Sequence, residues 1–373
     1  MKVVHILVGK ANPNKMNGVN KVVHCLATAQ LLLKYEVQVW GITKTPGLIR
    51  HQHTYELNLF SIMKNRFMIN KEILEALNDA SKDTIFHLHS VFLPEFYAIS
   101  RQLKKRNLRW VLTPHGGYSA ESLKKNYWIK RVYKFLFEND IISGASAIHT
   151  LGEYGETEQF SEKVRKNKIS IIPNGNELSN TYKKSYTKSG CLSLCFCGRL
   201  SKNHKGLDLL IKALALSLER GCDVTLNMIG DGPDRDFLQK MTNTNNLNHV
   251  VTFSGEKIGE EKYLMIQKSD IFVHTSRWEG LPTAVLEAAS MALPLLVTLP
   301  TNMGKYIDAA SAGYVVPELT SESVSRAIQL AASDKKIGVI EQKGIAARKM
   351  IKKSFSWLEI AKLIENKIYL KNR

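Results

Sequence analysis

Short apolar runs recur along this chain, separated by segments of helical spacing, and that alternation constrains the fold more than any other feature. In the first half the strand-like runs are Lys2 to Val8, Val37 to Gly41, Phe86 to His89, Val111 to Pro114, Ala147 to Thr150 and Ile169 to Pro173. Leu192 to Gly198, Val224 to Ile229, Val250 to Gly255, Ile271 to Thr275 and Leu295 to Val297 follow in the second half. Val19 to Leu33 has helical spacing and links the first two runs as a β-α-β unit. Strands alternating with helices predict the α/β class, here two doubly wound sheets, and 373 residues suffice for two domains. The polar, Lys- and Ser-rich stretch from Glu177 to Gly190 reads as a linker. Residues 1–176 then form one domain and 191–354 the other, with a terminal helix over 355–373.

The most informative stretch is Ser269 to Thr298, SDIFVHTSRWEGLPTAVLEAASMALPLLVT, which reads as strand, loop, helix, strand. Arg277-Trp278-Glu279-Gly280 is the loop, and Pro282 suits the first helical position, where its missing N–H costs nothing. Glu279 is thereby placed at the carboxyl end of a strand beside the free N–H groups of a helix start, a setting that binds phosphates. Eight positions on, Glu287 lies in a nearly all-apolar helix, where a carboxylate must find donors. Taken alone, Glu279 could help cap the helix and Glu287 could pair with an arginine.

This stretch resembles the signature of glycosyltransferase family 4, in which E-x7-E follows a strand ending in Ser or Thr and continues into GLP; Glu279, Gly280, Leu281, Pro282 and Glu287 all match. The resemblance implies a nucleotide-sugar site, with Glu279 on the donor sugar and Glu287 on the ribose. It extends to Gly198-Arg199-Leu200 and Lys205-Gly206, whose Arg199 and Lys205 grip the donor diphosphate in that family. It also covers Thr113-Pro114-His115-Gly116, whose His lies beside the reacting sugar. Gly18 stands where the family has a glycine pair and this chain has Asn17-Gly18. Asn174, in the turn after Ile169 to Pro173, and Lys257, near the expected nucleobase, complete the substrate-binding set. The fold implied is GT-B, two Rossmann-like domains facing across a cleft with the last helix returning to the first. The reaction implied is retaining transfer of a sugar from a UDP- or GDP-sugar to a glycan hydroxyl, with no cofactor. No metal is required, because Arg199 and Lys205 neutralise the leaving diphosphate as Mg²⁺ does elsewhere. An epimerase or phosphorylase of similar architecture is the nearest rival.

Other features are read without the family. Asp234-Arg235-Asp236 has the Asp-x-Asp pattern of metal-dependent transferases but falls inside a helix start, so it is rejected as a metal site. His87 and His89 alternate on a strand with no third ligand at useful spacing, and read as polar residues at a strand end near the acceptor. Thr150-Leu151-Gly152-Glu153 and Ser356-Trp357-Leu358-Glu359 fit capping boxes. Five cysteines without a CxxC, two of them alternating at Cys195 and Cys197, predict buried thiols.

A net charge of +18 asks for a polyanionic partner. Nucleic acid is the rival from another class; against it, the cations are dispersed and no recognition motif appears. Leu123 to Phe137, LKKNYWIKRVYKFLF, is a helix joining cations to Tyr, Trp and Phe. Trp128, Val132, Phe135 and Leu136 share a face that either packs on the core or lies on an anionic membrane. No apolar run approaches a membrane span, and Met1 to Leu7 suits a strand better than a signal peptide. The expectation is therefore a cytoplasmic protein, peripheral on the inner membrane face. Its acceptor is expected to be a glycan on a lipid such as undecaprenyl diphosphate, as in related enzymes of bacterial surface polysaccharide synthesis.

Overall fold

The computed structural model describes residues 1–12, 18–47 and 53–371. The chain divides into two compact units, Met1–Gly175 with Trp357–Arg373, and Asn176–Ser356. Asn17 and most of the loop expected before Gly18 lie outside the described residues.

Unit 1 holds β1 (Lys2–Val8), β2 (Glu36–Thr43), β3 (Glu56–Ser61), β4 (Ile85–His89), β5 (Arg109–Thr113), β6 (Ala147–Thr150) and β7 (Ile169–Ile171). They form one sheet in the order β3-β2-β1-β4-β5-β6-β7, every pairing parallel. β3 is absent from the sequence reading because ELNLFS interleaves polar residues, as suits a half-exposed edge strand. β1 and β4 are buried along nearly their whole length, since helices cover both faces. The terminal helix Trp357–Ile364 and the wider turn Glu365–Tyr369 belong to this unit. Ile360, Ala361, Ile364 and Ile368 share a core cluster with Leu26 and Ala29 of the helix Gly18–Leu32.

Unit 2 holds β8 (Leu192–Cys197), β9 (Val224–Ile229), β10 (Val251–Gly255), β11 (Ile271–His274), β12 (Leu295–Thr298) and β13 (Gly313–Val316). The order is β10-β9-β8-β11-β12-β13, again all parallel. Leu194 and Phe196 enter one core cluster and Cys195 and Cys197 the other, as alternation on a strand requires. All five cysteines are free thiols.

Residues 177–190, polar enough to read as a linker, are packed onto unit 2. The Lys183 N–H donates to Met291 O at 2.9 Å, its ammonium reaches Asp270 Oδ1 at 3.1 Å, and the Tyr186 hydroxyl donates to Ala292 O. Their polar side chains have partners that composition does not reveal. Two further expectations fail. No helix starts after Thr150; its hydroxyl instead accepts from Thr157 Oγ1 at 2.8 Å. The helix expected from Leu123 to Phe137 is broken at Asn126, whose φ of +57° leaves the helical region.

Candidate functional site

In unit 2, β8 leads to β9 on one side and β11 leads to β12 on the other, so the loops leaving these neighbouring strands diverge and open a crevice at their carboxyl ends. Both signature segments fall there. The loop after β8 carries Arg199 and Lys205, and the loop after β11 carries Glu279 to Pro282. They are locked together at Gly206, where φ is +60° and an added Cβ would stand 2.1 Å from Thr275 O. The Thr275 hydroxyl reaches Lys205 O and Gly206 O, both at 3.1 Å. Arg277 clamps Asp208 through two hydrogen bonds of 2.8 Å and donates to Lys202 O at 2.6 Å, while His204 stacks on Trp278 with centroids 5.0 Å apart. Below them the Gly230 and Gly232 backbone closes on Gly198 O and Leu200 O, leaving no room for a Cβ at either.

Glu279 is the centre of this arrangement. Its Oε1 accepts from the Lys205 ammonium, from Ser276 Oγ at 2.8 Å and from His274 Nε2 at 3.0 Å. Burial alone would raise its pKa; the His204 ring 3.7 Å away, the hydrogen bond from His274 and the Lys205 charge outweigh burial and hold the carboxyl far below its usual range. Among the described residues none donates to Oε2. The loop backbone is fixed by Asn302, whose amide donates to Glu279 O at 2.6 Å and Gly280 O at 3.1 Å. Gly280 faces open space, Leu281 packs on the core, and Pro282 is the residue before the helix Thr283–Ser290 rather than its first turn. Its ψ of 105° is extended, so the helix begins one residue later than the sequence suggests.

Glu287, one turn into that helix, pairs with Lys262 at 2.7 Å. Arg199 is exposed and has no partner among the described residues. Lys257 pairs with Glu261 on the surface of the next helix. Asp234 accepts the Lys202 N–H at 2.8 Å and Asp231 pairs with Arg235, which accounts for the polar turn before that helix. Lys262, His274, Ser276, Asp208 and Asn302 were not singled out from sequence; only His274 and Ser276, flanking the strand end, carried a local signal.

His115, Gly18 and Asn174 belong to unit 1. Gly18 opens the helix Gly18–Leu32, where among the described residues nothing lies within 4 Å of an added Cβ, and Asn174 is half-buried after β7. His115 has φ +53°, a left-handed conformation that a non-glycine residue holds only where its surroundings enforce it. Two carboxyls hold the loop behind it. Glu156 accepts the Tyr118 N–H at 3.2 Å, and Glu138 accepts the Tyr118 hydroxyl at 2.5 Å and the Phe92 N–H at 3.2 Å. Burial pushes both carboxyls up to about 7. His87 and His89 lie at the end of β4 as expected, fully buried, and the third histidine beside them is His5, contributed by β1 from 82 positions upstream of His87.

On the exposed helix Tyr127–Tyr133 and the turn Lys134–Glu138, Trp128, Ile129, Val132, Phe135 and Leu136 all face solvent, with Trp128 72% and Phe135 78% exposed. Core packing of that face is therefore excluded. Of the cations, Lys124, Lys125 and Arg131 are exposed, whereas Lys130 bonds Ser122 and Lys134 lies over the Tyr118 ring at 5.7 Å. No helix among the described residues is long and apolar enough to cross a membrane.

Comparison with known proteins agrees with this geometry. Residues 16–180 match the model "Glycosyltransferase Family 4" and residues 180–354 match "Glycosyl transferases group 1". An uncharacterized glycosyltransferase of Methanocaldococcus jannaschii is 29% identical over 64% of this chain and 60% of its own length. GDP-mannose:cellobiosyl-diphosphopolyprenol alpha-mannosyltransferase of Xanthomonas oryzae is 27% identical over 63% of this chain and likewise 60% of its own length. The chain thus spans less than two thirds of these relatives. The Anabaena protein HepE, solved with UDP, superposes with a TM-score of 0.70 at 16% identity over 99% of both chains. Two parallel doubly wound units, matched in succession by the paired models over residues 16–354, place this chain in glycosyltransferase family 4 with the GT-B fold.

Proposed function

We propose that the protein is a retaining glycosyltransferase that moves a sugar from a nucleotide diphosphate donor to a hydroxyl of a lipid-linked glycan. The observation that carries this reading is the Lys205–Glu279 pair at the strand-order reversal of unit 2, with Arg199 exposed on the adjoining loop. A buried ionised carboxylate with one oxygen unclaimed accepts hydrogen bonds from sugar hydroxyls, while Arg199 and Lys205 neutralise charge developing on the leaving diphosphate. These two cations take the place of a metal ion in that role. Glu287, held by Lys262, is assigned to the ribose hydroxyls, and Lys257 lies toward the base. The named donor of the Xanthomonas relative and the UDP held by HepE support a nucleotide donor here. Calorimetry with UDP and GDP tests this directly. One of them binds at micromolar affinity and binds at least tenfold more weakly to Arg199→Ala; wild-type affinity in that variant, or no binding of either nucleotide, overturns the assignment.

The acceptor side follows from the exposed helix Tyr127–Tyr133 and its continuation. Five exposed apolar side chains flanked by Lys124, Lys125 and Arg131 suit an anionic membrane surface, where the rings enter the headgroup layer and the cations meet lipid charge. The diphosphopolyprenol acceptor in the name of the Xanthomonas relative supports a polyprenyl-linked substrate delivered there. On this reading the protein works in the cytoplasm, peripheral to the inner membrane face, in surface-polysaccharide synthesis.

A further inference from the structure

Five histidines of unit 1, His5, His87, His89, His115 and His149, have their ring nitrogens joined through three other side chains into one unbranched path. At one end His149 Nε2 meets Ile172 O at 2.7 Å, and its Nδ1 meets Thr113 Oγ1 at 3.0 Å. Thr113 Oγ1 continues to His87 Nε2 at 2.6 Å, and His87 Nδ1 to the Tyr369 hydroxyl at 2.8 Å. From Tyr369 the path runs through the Gln30 amide, 3.3 Å away, to His5 Nε2 at 2.6 Å. His5 Nδ1 then meets His89 Nε2, and His89 Nδ1 meets His115 Nε2, each at 2.9 Å.

The direction of every link follows from its first. A backbone carbonyl only accepts, so His149 Nε2 carries the proton and His149 Nδ1 has a lone pair. Thr113 must donate to that lone pair, so it accepts from His87 Nε2–H. The His87 Nδ1 lone pair then takes the Tyr369 proton. The Tyr369 oxygen accepts from the Gln30 NH₂, which turns the Gln30 carbonyl oxygen toward His5. This is the amide orientation observed, with Gln30 Oε1 at His5 and Nε2 at Tyr369. His5 donates from Nε2, accepts at Nδ1 from His89 Nε2–H, and His89 accepts at Nδ1 from His115 Nε2–H. A second proton on any internal ring would set two donors face to face. Burial opposes such a charge, keeping His5 and His149 near 4 and His115 near 3, with His87 and His89 well below their ordinary value.

We infer that this path is a one-way hydrogen-bond relay that fixes His115 as its Nε2–H tautomer and presents His115 Nδ1 as an acceptor for a ligand hydroxyl. Among the described residues nothing donates to that Nδ1. A lone pair there repels phosphate oxygens and accepts from a hydroxyl, which agrees with the sugar that the family resemblance already sets beside this histidine; the relay and the tautomer are what is added. Gln30, His5, His87, His89, Thr113 and Tyr369 are then positioning residues, and Tyr369 ties the last helical turn of the chain to the chemistry of the loop after β5. The ligand assignment rests on the glycosyltransferase reading; the tautomer does not.

The close nitrogens of His5, His87 and His89, all within 4.8 Å, also admit a metal ion, and the test separates the two. Long-range ¹H–¹⁵N correlation spectra of the ¹⁵N-histidine-labelled free protein report the protonation of each ring nitrogen, with His115 assigned by its loss in His115→Asn. At neutral pH the relay gives a single His115 form with Nε2 protonated and Nδ1 bare. Tyr369→Phe frees the Gln30 amide to turn, and Thr113→Val cuts the path before Tyr369. Both variants shift the His115 signals toward a mixture of tautomers, while Thr113→Ser retains the wild-type pattern. The relay is refuted by an Nδ1–H or doubly protonated His115 in the wild type, by an unmixed Nε2–H form in both cut variants, or by stoichiometric zinc in the purified protein. Because these spectra are read without substrate, a protein that transferred no sugar would leave their outcome unchanged.

Discussion

Gly206→Ala should damage unit 2 far more than Gly280→Ala, although each glycine belongs to one of the two signature segments. At Gly206 the backbone lies at φ +60°, which costs an alanine about 1–2 kcal/mol. The new methyl would also sit 2.1 Å from Thr275 O, so the loop must retreat by roughly 1 Å from an ordinary contact distance. That retreat breaks the two Thr275 hydrogen bonds to Lys205 O and Gly206 O, worth about 1 kcal/mol each. Alanine recovers about 0.5–1 kcal/mol by stiffening the unfolded chain. The net loss is about 2–3 kcal/mol, or roughly 4–12 °C in Tm for a unit of this size. Gly280 has nothing within 4 Å of its Cβ position, so its alanine variant should melt within about 0.5 kcal/mol of wild type. Scanning calorimetry of the full chain compares the melting of both variants with wild type. The displacement of Lys205 should also weaken UDP or GDP binding about tenfold in Gly206→Ala. Equal stability of the two variants would refute the argument that close backbone approach, rather than loop flexibility, demands the glycine.

Glu279→Gln should mainly lower kcat, since it lies against the proposed donor sugar, whereas Glu287→Gln should mainly weaken free nucleotide binding; unchanged nucleotide affinity in Glu287→Gln makes that residue structural. Wild-type protein should bind vesicles containing anionic lipid and release at high salt, and Trp128→Ala with Phe135→Ala or neutralisation of Lys124, Lys125 and Arg131 should abolish binding while sparing nucleotide affinity. Retention on neutral vesicles at high salt would count against the electrostatic part of this reading. Glu138 and Glu156 carry raised folded-state pKa values of about 7, so between about pH 4.5 and 7 the folded state binds more protons than the unfolded one and their contribution to stability falls as pH rises. Glu138→Gln should flatten that decline in a Tm-against-pH series; an identical slope would remove Glu138 as its source. Glu279 works in the opposite sense: its depressed pKa adds stability above the ordinary carboxylate range, lost as pH falls below about 4.5.

The sequence by itself determined the alternation of elements, the family signature and the loops that bear it. Strand periodicity and helix breakers are local, and eleven strands appear within a few residues of their expected places, while the edge strand β3 and the short β13 do not stand out. The positions of Lys205, Glu279 and Glu287 relative to strand ends and helix starts could be read because that spacing is also local, while their roles rested on the family resemblance. Tertiary structure decided which groups answer them. Lys262 meets Glu287 across 25 positions, and His274 meets Glu279 only because the strand end turns back on itself. The linker reading of 177–190 failed for the same reason: composition counts polar side chains but not the partners that the second sheet brings to them. The aromatic helix is the converse, since amphipathic spacing is identical whether its apolar face meets a core or solvent, and only the folded unit shows Trp128 and Phe135 exposed. Least legible was the histidine path. Its members come from β1, β4, β5, β6, the loop after β5, the helix Gly18–Leu32 and the turn Glu365–Tyr369, with Tyr369 lying 339 positions from Gln30. Parallel strand order sets His5 beside His87, with His89 two residues further along the same face, in the middle of a sheet, a neighbourhood created by crossover connections and therefore invisible to any window along the sequence.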